Sequence, residues 1–499
     1  MTQSTDASSA VTDAPDEKDP WPALFALCLG FFMILVDTTI VSVATPAIID
    51  DLGAGVNEVV WVTSAYLLAY AVPVLITGRL GDRYGPKNLY ILGLVVFTAA
   101  SLWCGLTGSI EWLIIARVFQ GLGASMITPQ TMAIITRIFP AARRGAAMAL
   151  WGATAGVASL VGPILGGVLI DVAGWEWIFF VNIPIGILGV VLAWRLVPSL
   201  ETHIHRFDWL GVALSGVGMF LVVFGLQEGH QREWAPWIWA MIVGGVAVFG
   251  LFVLWQARNR AEPLVPLGIF RDRNFTLANV AITAMGFLVT AVLFPFMLYA
   301  QLVRGLSPTR AALLLVPMAV MSILLARPIG ALTDRIHPRL LVSAGFVSIF
   351  VALLWLSHEM TPDSSTAALL AAMALFGIGN ALVWAPNSAT ATRNLPVTQA
   401  GAGSGVYNAT RQVGAVLGSA AIAVFMDSRL AAAGLQADQA QASTVGQLPT
   451  QVLAPFSTAM SEALLLPAAV VLAGLVAAAF FERPRHAGFT QAPAQASTD

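Results

Sequence analysis

A charged ten-residue segment occurs twice in this chain, each time between two long apolar runs. Gly78–Lys87 reads G-x-L-x-D-R-x-x-P-K, and Gly330–Arg339 reads G-x-L-x-D-R-x-x-P-R. A hinge repeated between apolar helices implies two similar bundles grown from one ancestral half. Internal repeats of this kind are the usual ground plan of membrane carriers.

The apolar runs fix the medium. The chain has 499 residues, 58% of them hydrophobic and 10% charged, with a mean hydropathy of +0.79. Soluble domains carry roughly 25% charged residues, so there are too few charges here to coat a soluble surface. A net charge of -2 gives no basis for nucleic acid binding. The N-terminal stretch lacks the basic region and short apolar core of a secretory signal. Cys28 and Cys104 fall at different depths, so no disulfide is expected.

A span needs about 20 mostly apolar residues. Fourteen such runs are read, at 22–46, 58–78, 88–108, 111–133, 145–170, 177–197, 208–227, 235–256, 276–300, 311–331, 340–357, 366–388, 405–426 and 459–481. The loops on one side hold Arg79, Arg83, Lys87, Arg137, Arg143, Arg144 and Arg195, then Arg258, Arg271, Arg335, Arg339 and Arg393. The other side holds only Arg232, Arg304, Arg310 and Arg429, together with acids that include Asp50, Asp51, Glu111 and Glu228. Positive charge stays inside, so both termini are expected in the cytoplasm. Only Lys18 and Lys87 are lysines, against 23 arginines, a usage associated with GC-rich bacterial genomes, so the chain is expected to be multi-pass in a bacterial inner membrane.

The repeat extends beyond the hinge. Gly121 and Gly123 match Gly377 and Gly379, Arg137 matches Arg393, Gly145 matches Gly401 and Gly162 matches Gly418, all at an offset of 256 residues. Spans 1–6 therefore pair with spans 9–14, and spans 7 and 8 read as an inserted hairpin. The expected division is a disordered tail (1–21), a six-helix bundle (22–200), the inserted helices (201–260), a second bundle (261–485) and a disordered tail (486–499).

Five segments carry a resemblance. Leu35–Pro46 (LVDTTIVSVATP), Gly78–Lys87, Arg117–Gly123 (RVFQGLG), Gly162–Gly167 (GPILGG) and Trp175–Pro184 (WEWIFFVNIP) occur in order and at fitting depths. Together they resemble the major facilitator superfamily, and within it the fourteen-span drug:proton antiporters of the EmrB/QacA type. The resemblance covers about residues 20 to 485. It implies an all-α polytopic fold of two six-helix bundles plus an inserted two-helix hairpin. It further implies a proton-coupled exporter of lipophilic, often cationic, compounds that works by alternating access. The alternative cargo on the same fold is a lipid, a natural product made by the host or a small metabolite. The expected partners are the bilayer, protons and small substrates, with the chain acting as a monomer and without a cofactor.

The residues sort by chemistry. Asp37 lies near the middle of span 1, where an acid costs about 2.5–3.5 kcal/mol on insertion scales. Burial favours its neutral form, so it can load and release a proton. Arg117 in span 4 is expected at a similar level, tuning Asp37. Gly78, Asp82, Arg83, Gly85, Lys87, Asp334 and Arg335 are expected to latch one conformation, with the aspartates accepting helix N–H groups or pairing with arginine. Gly162, Pro163, Gly166 and Gly167 strip side chains from one face of span 5 and remove a helical hydrogen bond, which permits close packing and bending. Tyr66, Tyr70, Gln120, Asn380, Trp384, Asn387, Tyr407 and Asn408 are candidate walls of a substrate cavity.

Comparing the halves places the ionisable chemistry in the first. At the repeat offset Asp37 falls near Val289–Leu293, and Arg117 falls on Met373. All six histidines are expected in loops or tails. No phosphate-binding G-x-x-x-x-G-K-[ST] segment occurs, since Lys87 follows Pro86. That argues against an ATP-driven pump. No metal-spaced His/Cys cluster and no nucleophile motif is present, which argues against an enzyme.

Overall fold

A run of about twenty apolar residues can bury its backbone polar groups in lipid only by coiling into a helix, and the described residues contain helices and no strand. The computed structural model describes residues 19–54, 56–200, 202, 208–229, 232–259, 263–306, 308–396, 399–435 and 450–483. The tail readings for 1–18 and 484–499 lie outside these residues, as do His203, His205, His230 and His486.

The first bundle contains α1 (Trp21–Leu52), α2 (Val56–Ala71), α3 (Val74–Tyr84), α4 (Pro86–Leu106), α5 (Ile110–Ile138), α6 (Ala141–Ala173), α7 (Trp177–Phe180) and α8 (Asn182–Leu196). A hairpin of α9 (Trp209–Gly229) and α10 (Pro236–Arg258) follows. The second bundle contains α11 (Arg273–Leu298), α12 (Pro308–Leu313), α13 (Val316–Thr333), α14 (Pro338–Glu359), α15 (Thr366–Arg393), α16 (Ala400–Ala432), α17 (Thr450–Ala463) and α18 (Leu465–Ala479). Thirteen segments are long and apolar enough to cross a membrane, and a bent pair, Trp61–Ala71 with Val74–Tyr84, makes the fourteenth.

That pair makes the second span, read at 58–78, a broken helix that reaches Tyr84. It bends by 46° at Val72–Pro73, because Pro73 has no N–H to continue the ladder. Spans 6, 10 and 14 are also broken, at Val181, Leu314–Leu315 and Leu464.

The two bundles pack by the same plan. In the first, α4 lies on α5, α1 on α6, α2 on α5, and α8 on α1 and α4. In the second, α14 lies on α15, α11 on α16, α13 on α15, and α18 on α11 and α14. These are the same helix pairs shifted by one half. The halves meet twice, where α6 packs on α13 and α15, and where α16 packs on α3 and α5. The outer faces carry Leu92, Val95, Leu102, Phe119, Leu324, Val347 and Val351, all exposed, as lipid contact requires. Cys28 and Cys104 are both buried and unpaired.

The hairpin sits at the edge. α10 packs on α9, while α9 also touches α2 and α16 and so bridges the two halves on one side. Trp61 and Phe224 meet there with ring centroids 5.6 Å apart. Glu228, expected in a loop, is instead buried near the end of α9, with Arg232 Nε 3.4 Å from its Oε2. Of the two described histidines, His337 is in a loop and His358 is exposed in the last turn of α14.

Asp208 ties the base of the hairpin together. Its carboxylate accepts from Gly211 N at 2.9 Å, Trp255 Nε1 at 2.9 Å and Gln256 Nε2 at 2.7 Å. Gln256 Oε1 in turn accepts from Val265 N at 3.1 Å, on the connection to the second bundle. Those donors hold the Asp208 carboxyl below its ordinary range, against the opposing effect of its burial, the largest single contribution. Asp208→Ala should lower stability by about 1–3 kcal/mol, the cost of unmaking such bonds. An unchanged thermal midpoint in detergent would rule out this clasp.

Candidate functional site

Asp37 and Arg117 come together with no exposed surface. Arg117 Nη1 donates to Asp37 Oδ2 at 2.6 Å, and both side chains are 0% exposed. The other carboxylate oxygen, Oδ1, accepts from Gln120 Nε2 at 2.8 Å and from Asn182 Nδ2 at 3.0 Å. Ser101 Oγ accepts from the same two amides at 3.2 and 3.1 Å, and donates to the Phe179 carbonyl at 3.0 Å. Arg117 also donates from Nη1 to Gln120 Oε1 at 2.6 Å and from Nε to the Val62 carbonyl at 3.1 Å. Its guanidinium carbon lies 4.1 Å from the centre of the Tyr66 ring, a cation–π contact. Arg117 Nη2 has no hydrogen-bond acceptor.

Five elements build this cluster. Asp37 is on α1, Ser101 on α4, Arg117 and Gln120 on α5 one turn apart, Tyr66 on α2 and Asn182 at the start of α8. Gln120, read from sequence as a candidate cavity wall, donates to the carboxylate. Asn182 and Ser101 were not singled out by sequence reasoning. Asn182 had a signal, because it belongs to the Trp175–Pro184 segment. Trp175 of that segment donates from Nε1 to Asp51 Oδ2 at 2.9 Å.

The glycine face of α6 lies against the same stretch of α1. A side chain at Gly162 would collide with Thr39 and the Val36 carbonyl, and one at Gly166 would come within 2.8 Å of Ile40 Cγ1. Thr39 and Ile40 are the turn that follows Asp37. Pro163 sits inside α6 between them. Gly167 points away, toward Thr309 at 3.5 Å.

The two hinges form a crossed pair of clasps at one end of the molecule. Asp82 accepts from Arg137 Nη2 at 2.6 Å, within its own half. It also accepts from Ala402 N at 3.2 Å, at the N-terminus of α16 in the other half. Asp334 accepts from Arg393 Nη2 at 2.7 Å in its own half, and from the backbone N–H of Gly145 near the start of α6 in the first. Each aspartate thus binds one arginine at home and one helix N-terminus across the gap. Arg79 Nη1 lies 3.8 Å from Asp82.

The arginines on the hinge carboxylates come from neighbouring helix ends. Arg335 is exposed, and Arg83 lies with its guanidinium 5.3 Å from the Tyr84 ring centre. Arg137 and Arg393, from the ends of α5 and α15, reach the carboxylates because those ends abut the hinge turns. Lys87 donates to the Trp194 carbonyl at 2.8 Å and caps α8. Gly85 turns the chain with φ 91°, where a side chain is strained. Burial pushes the Asp334 carboxyl above the ordinary carboxylate range, while Arg393 and the Gly145 N–H pull it down. The clasp therefore carries a desolvation cost alongside its attraction.

Close backbone approach seals this end. A side chain on Gly78 would sit 2.8 Å from the Gly401 carbonyl, and one on Gly330 would sit 2.8 Å from Ala146 Cα.

The aromatic and amide candidates sit among packed helices. Tyr66, Tyr70, Asn387, Tyr407 and Asn408 are all buried. Asn387 Nδ2 donates to Tyr407 Oη at 3.0 Å and to the Ala278 carbonyl at 3.1 Å. Asn408 Nδ2 donates to the Ser404 carbonyl at 2.9 Å. Asn380 and Trp384 border a cavity of about 30 Å³ between α6, α13 and α15, room for about one water.

The reading that ionisable chemistry belongs to the first half is overturned. Arg327 lies within α13, and Arg411 lies deep in α16 with 9% of its surface exposed. Both are visible as arginines inside apolar runs.

Asp82→Asn and Asp334→Asn should each open this end, with Asp82 the larger effect because it is more buried. A Ser404→Cys reporter, at a fully buried position, should then label faster with a maleimide. Equal labelling in all variants would exclude the clasps as what holds the end shut.

The comparisons agree with this geometry. Residues 27–419 match the Major Facilitator Superfamily. An uncharacterized MFS-type transporter of Mycobacterium tuberculosis is 55% identical over 93% of this chain and 81% of its own length. The multidrug export protein EmrB of Haemophilus influenzae is 31% identical over 79% of this chain and 78% of its own. The fold is that of the proton:xylose symporter XylE, with a TM-score of 0.62 and 14% identity over 90% of this chain and 94% of that one. With its five segments in order and its repeated clasps, this multi-pass chain belongs to the major facilitator superfamily, in the branch of the EmrB-type drug:proton antiporters.

Proposed function

We propose that this protein is a proton-coupled exporter of lipophilic compounds, working by alternating access in the bacterial inner membrane with both termini and the two clasps on the cytoplasmic side. The observation that carries the reading is the buried Asp37–Arg117 pair, with Gln120 and Asn182 donating to the same carboxylate. Every partner offers a hydrogen and none accepts one from Asp37, so the arrangement suits the charged carboxylate.

Protonation would remove the charge that Arg117 neutralises and turn one acceptor oxygen into a donor. The pair would then loosen, and α1 could shift against the glycine face of α6 at Gly162 and Gly166. Release of α1 and α6 would strain the Asp334–Gly145 clasp at the far end of α6, linking proton load to the cytoplasmic gate. The membrane potential supplies about 2.3 kcal/mol per charge per 100 mV, enough to drive such a rearrangement without a cofactor. The partners are protons, the surrounding bilayer and a lipophilic substrate, and one copy of the chain contains the whole apparatus. Multidrug export by a relative 31% identical supports the direction and the breadth of cargo.

Reconstituted Asp37→Asn should lose transport driven by an imposed pH gradient, by about a hundredfold or more as expected when a proton carrier is removed, while still binding substrate. Arg117→Ala should bind but couple poorly. Gradient-driven transport at the wild-type rate in Asp37→Asn would end the proposal.

A further inference from the structure

Arg411 is a cation in the middle of the membrane with no anion to match it. It lies about 17 Å along α16 at 1.5 Å per residue, near half the thickness of a hydrocarbon core of about 30 Å. It is 91% buried, since 9% of its surface is exposed. Its Nη2 donates to Tyr70 Oη at 3.0 Å, across the boundary between the halves. Its Nε is buried and has no acceptor. Among the described residues no carboxylate lies within ion-pair distance of it.

Arg117, the fully buried arginine of span 4, shows the contrast. Arg117 has Asp37, two carbonyl-type acceptors and a ring. Arg411 has a neutral phenol, which Thr128 on α5 already engages at 2.8 Å. An unneutralised guanidinium inside a membrane is costly, and such groups usually mark a pathway.

Arg411 also sits where a pathway would open. α16 packs on α3 and α5 at one of the two contacts between the halves. One turn toward the clasped end, Asn408 Nδ2 approaches Met132 Sδ of α5 at 4.0 Å. One and two turns further, the same face reaches Gly405 and Gly401, which press on Gly78. Parting of the Asp82 clasp would therefore unzip this face and expose Tyr70, Thr128, Met132, Asn408 and Arg411 in sequence. The walls are aromatic, thioether, amide and hydroxyl groups, with one fixed positive charge.

We propose that Arg411 is the head-group site for the cargo, and that the cargo is a lipophilic aromatic acid bearing a carboxylate, phenolate or sulfonate. This deepens the export reading and rests on it for the direction of movement. A guanidinium edge with a free Nε matches two acidic oxygens, and Tyr70 and Met132 suit a flat apolar body. A lipophilic cation would meet an uncompensated like charge in a low-dielectric passage. Asp37 does not offset it, because Arg117 already neutralises that carboxylate.

The test uses the purified full chain in detergent and two probes that share one ring system, 1-pyrenesulfonate and a pyrenyl-trimethylammonium. Energy transfer from protein tryptophan to pyrene reports binding without any gradient. The wild type should bind the sulfonate about tenfold or more tightly than the ammonium, as loss or gain of one charge-assisted contact predicts. Arg411→Gln should erase that preference, Arg411→Lys should keep part of it, and Tyr70→Phe should leave it intact or enlarge it. Equal weakening of both probes in Arg411→Gln would mark a structural bridge and overturn the proposal. A wild-type preference for the ammonium, or binding of neither probe, would overturn it too. Anion-selective binding without gradient-driven transport would instead sink the antiport reading and leave this one standing.

Discussion

A single carboxylate placed where lipid surrounds the protein has to be satisfied entirely by protein groups, and Asp37 organises the first bundle around that need. Arg117 supplies charge, while Gln120 and Asn182 supply amide hydrogens. Ser101 holds both amides in place and is itself anchored to the Phe179 carbonyl. Helices from spans 1, 2, 3, 4 and 6 are thus joined by one polar centre. In lipid no water competes for these bonds, so each one also fixes the register of its helix. The glycine face of α6 then closes on the adjacent turn of α1, which places the side-chain-free contact at Gly162 and Gly166 beside the most costly group.

The pair of hinge clasps is built differently. Its attraction is divided between two aspartates, and each joins an arginine of its own half to a helix N-terminus of the other. Such a bond is strong when dry and weak when wet, because water can replace both partners. The glycine contacts at Gly78 and Gly330 keep it dry only while the halves are pressed together. Loosening one clasp would admit water to the other, and this dependence supports the proposal that the two act together as a gate. The hairpin of α9 and α10 adds a brace on one flank, where α9 touches both halves.

Much of this was readable in the chain. The span count, the pairing of spans 1–6 with 9–14 and the choice of Asp37 and Arg117 all follow from periodic apolar runs, a fixed repeat offset and the rarity of charge in lipid. Other features were readable but passed over, above all Arg411, which stands inside an apolar run with no acid at the facing repeat position.

Sequence alone determined the medium, the helical content, the two-fold plan and the residues that lipid makes expensive, because these depend on local composition and spacing. Tertiary structure decided who answers whom. It gave Asp37 the amides of Gln120 and Asn182, set Arg137 and Arg393 on the hinge aspartates, and left Arg411 facing a phenol. Those choices depend on which helix ends and faces meet across the bundle, and residues as far apart as Asp82 and Ala402 have no local pattern that announces their contact.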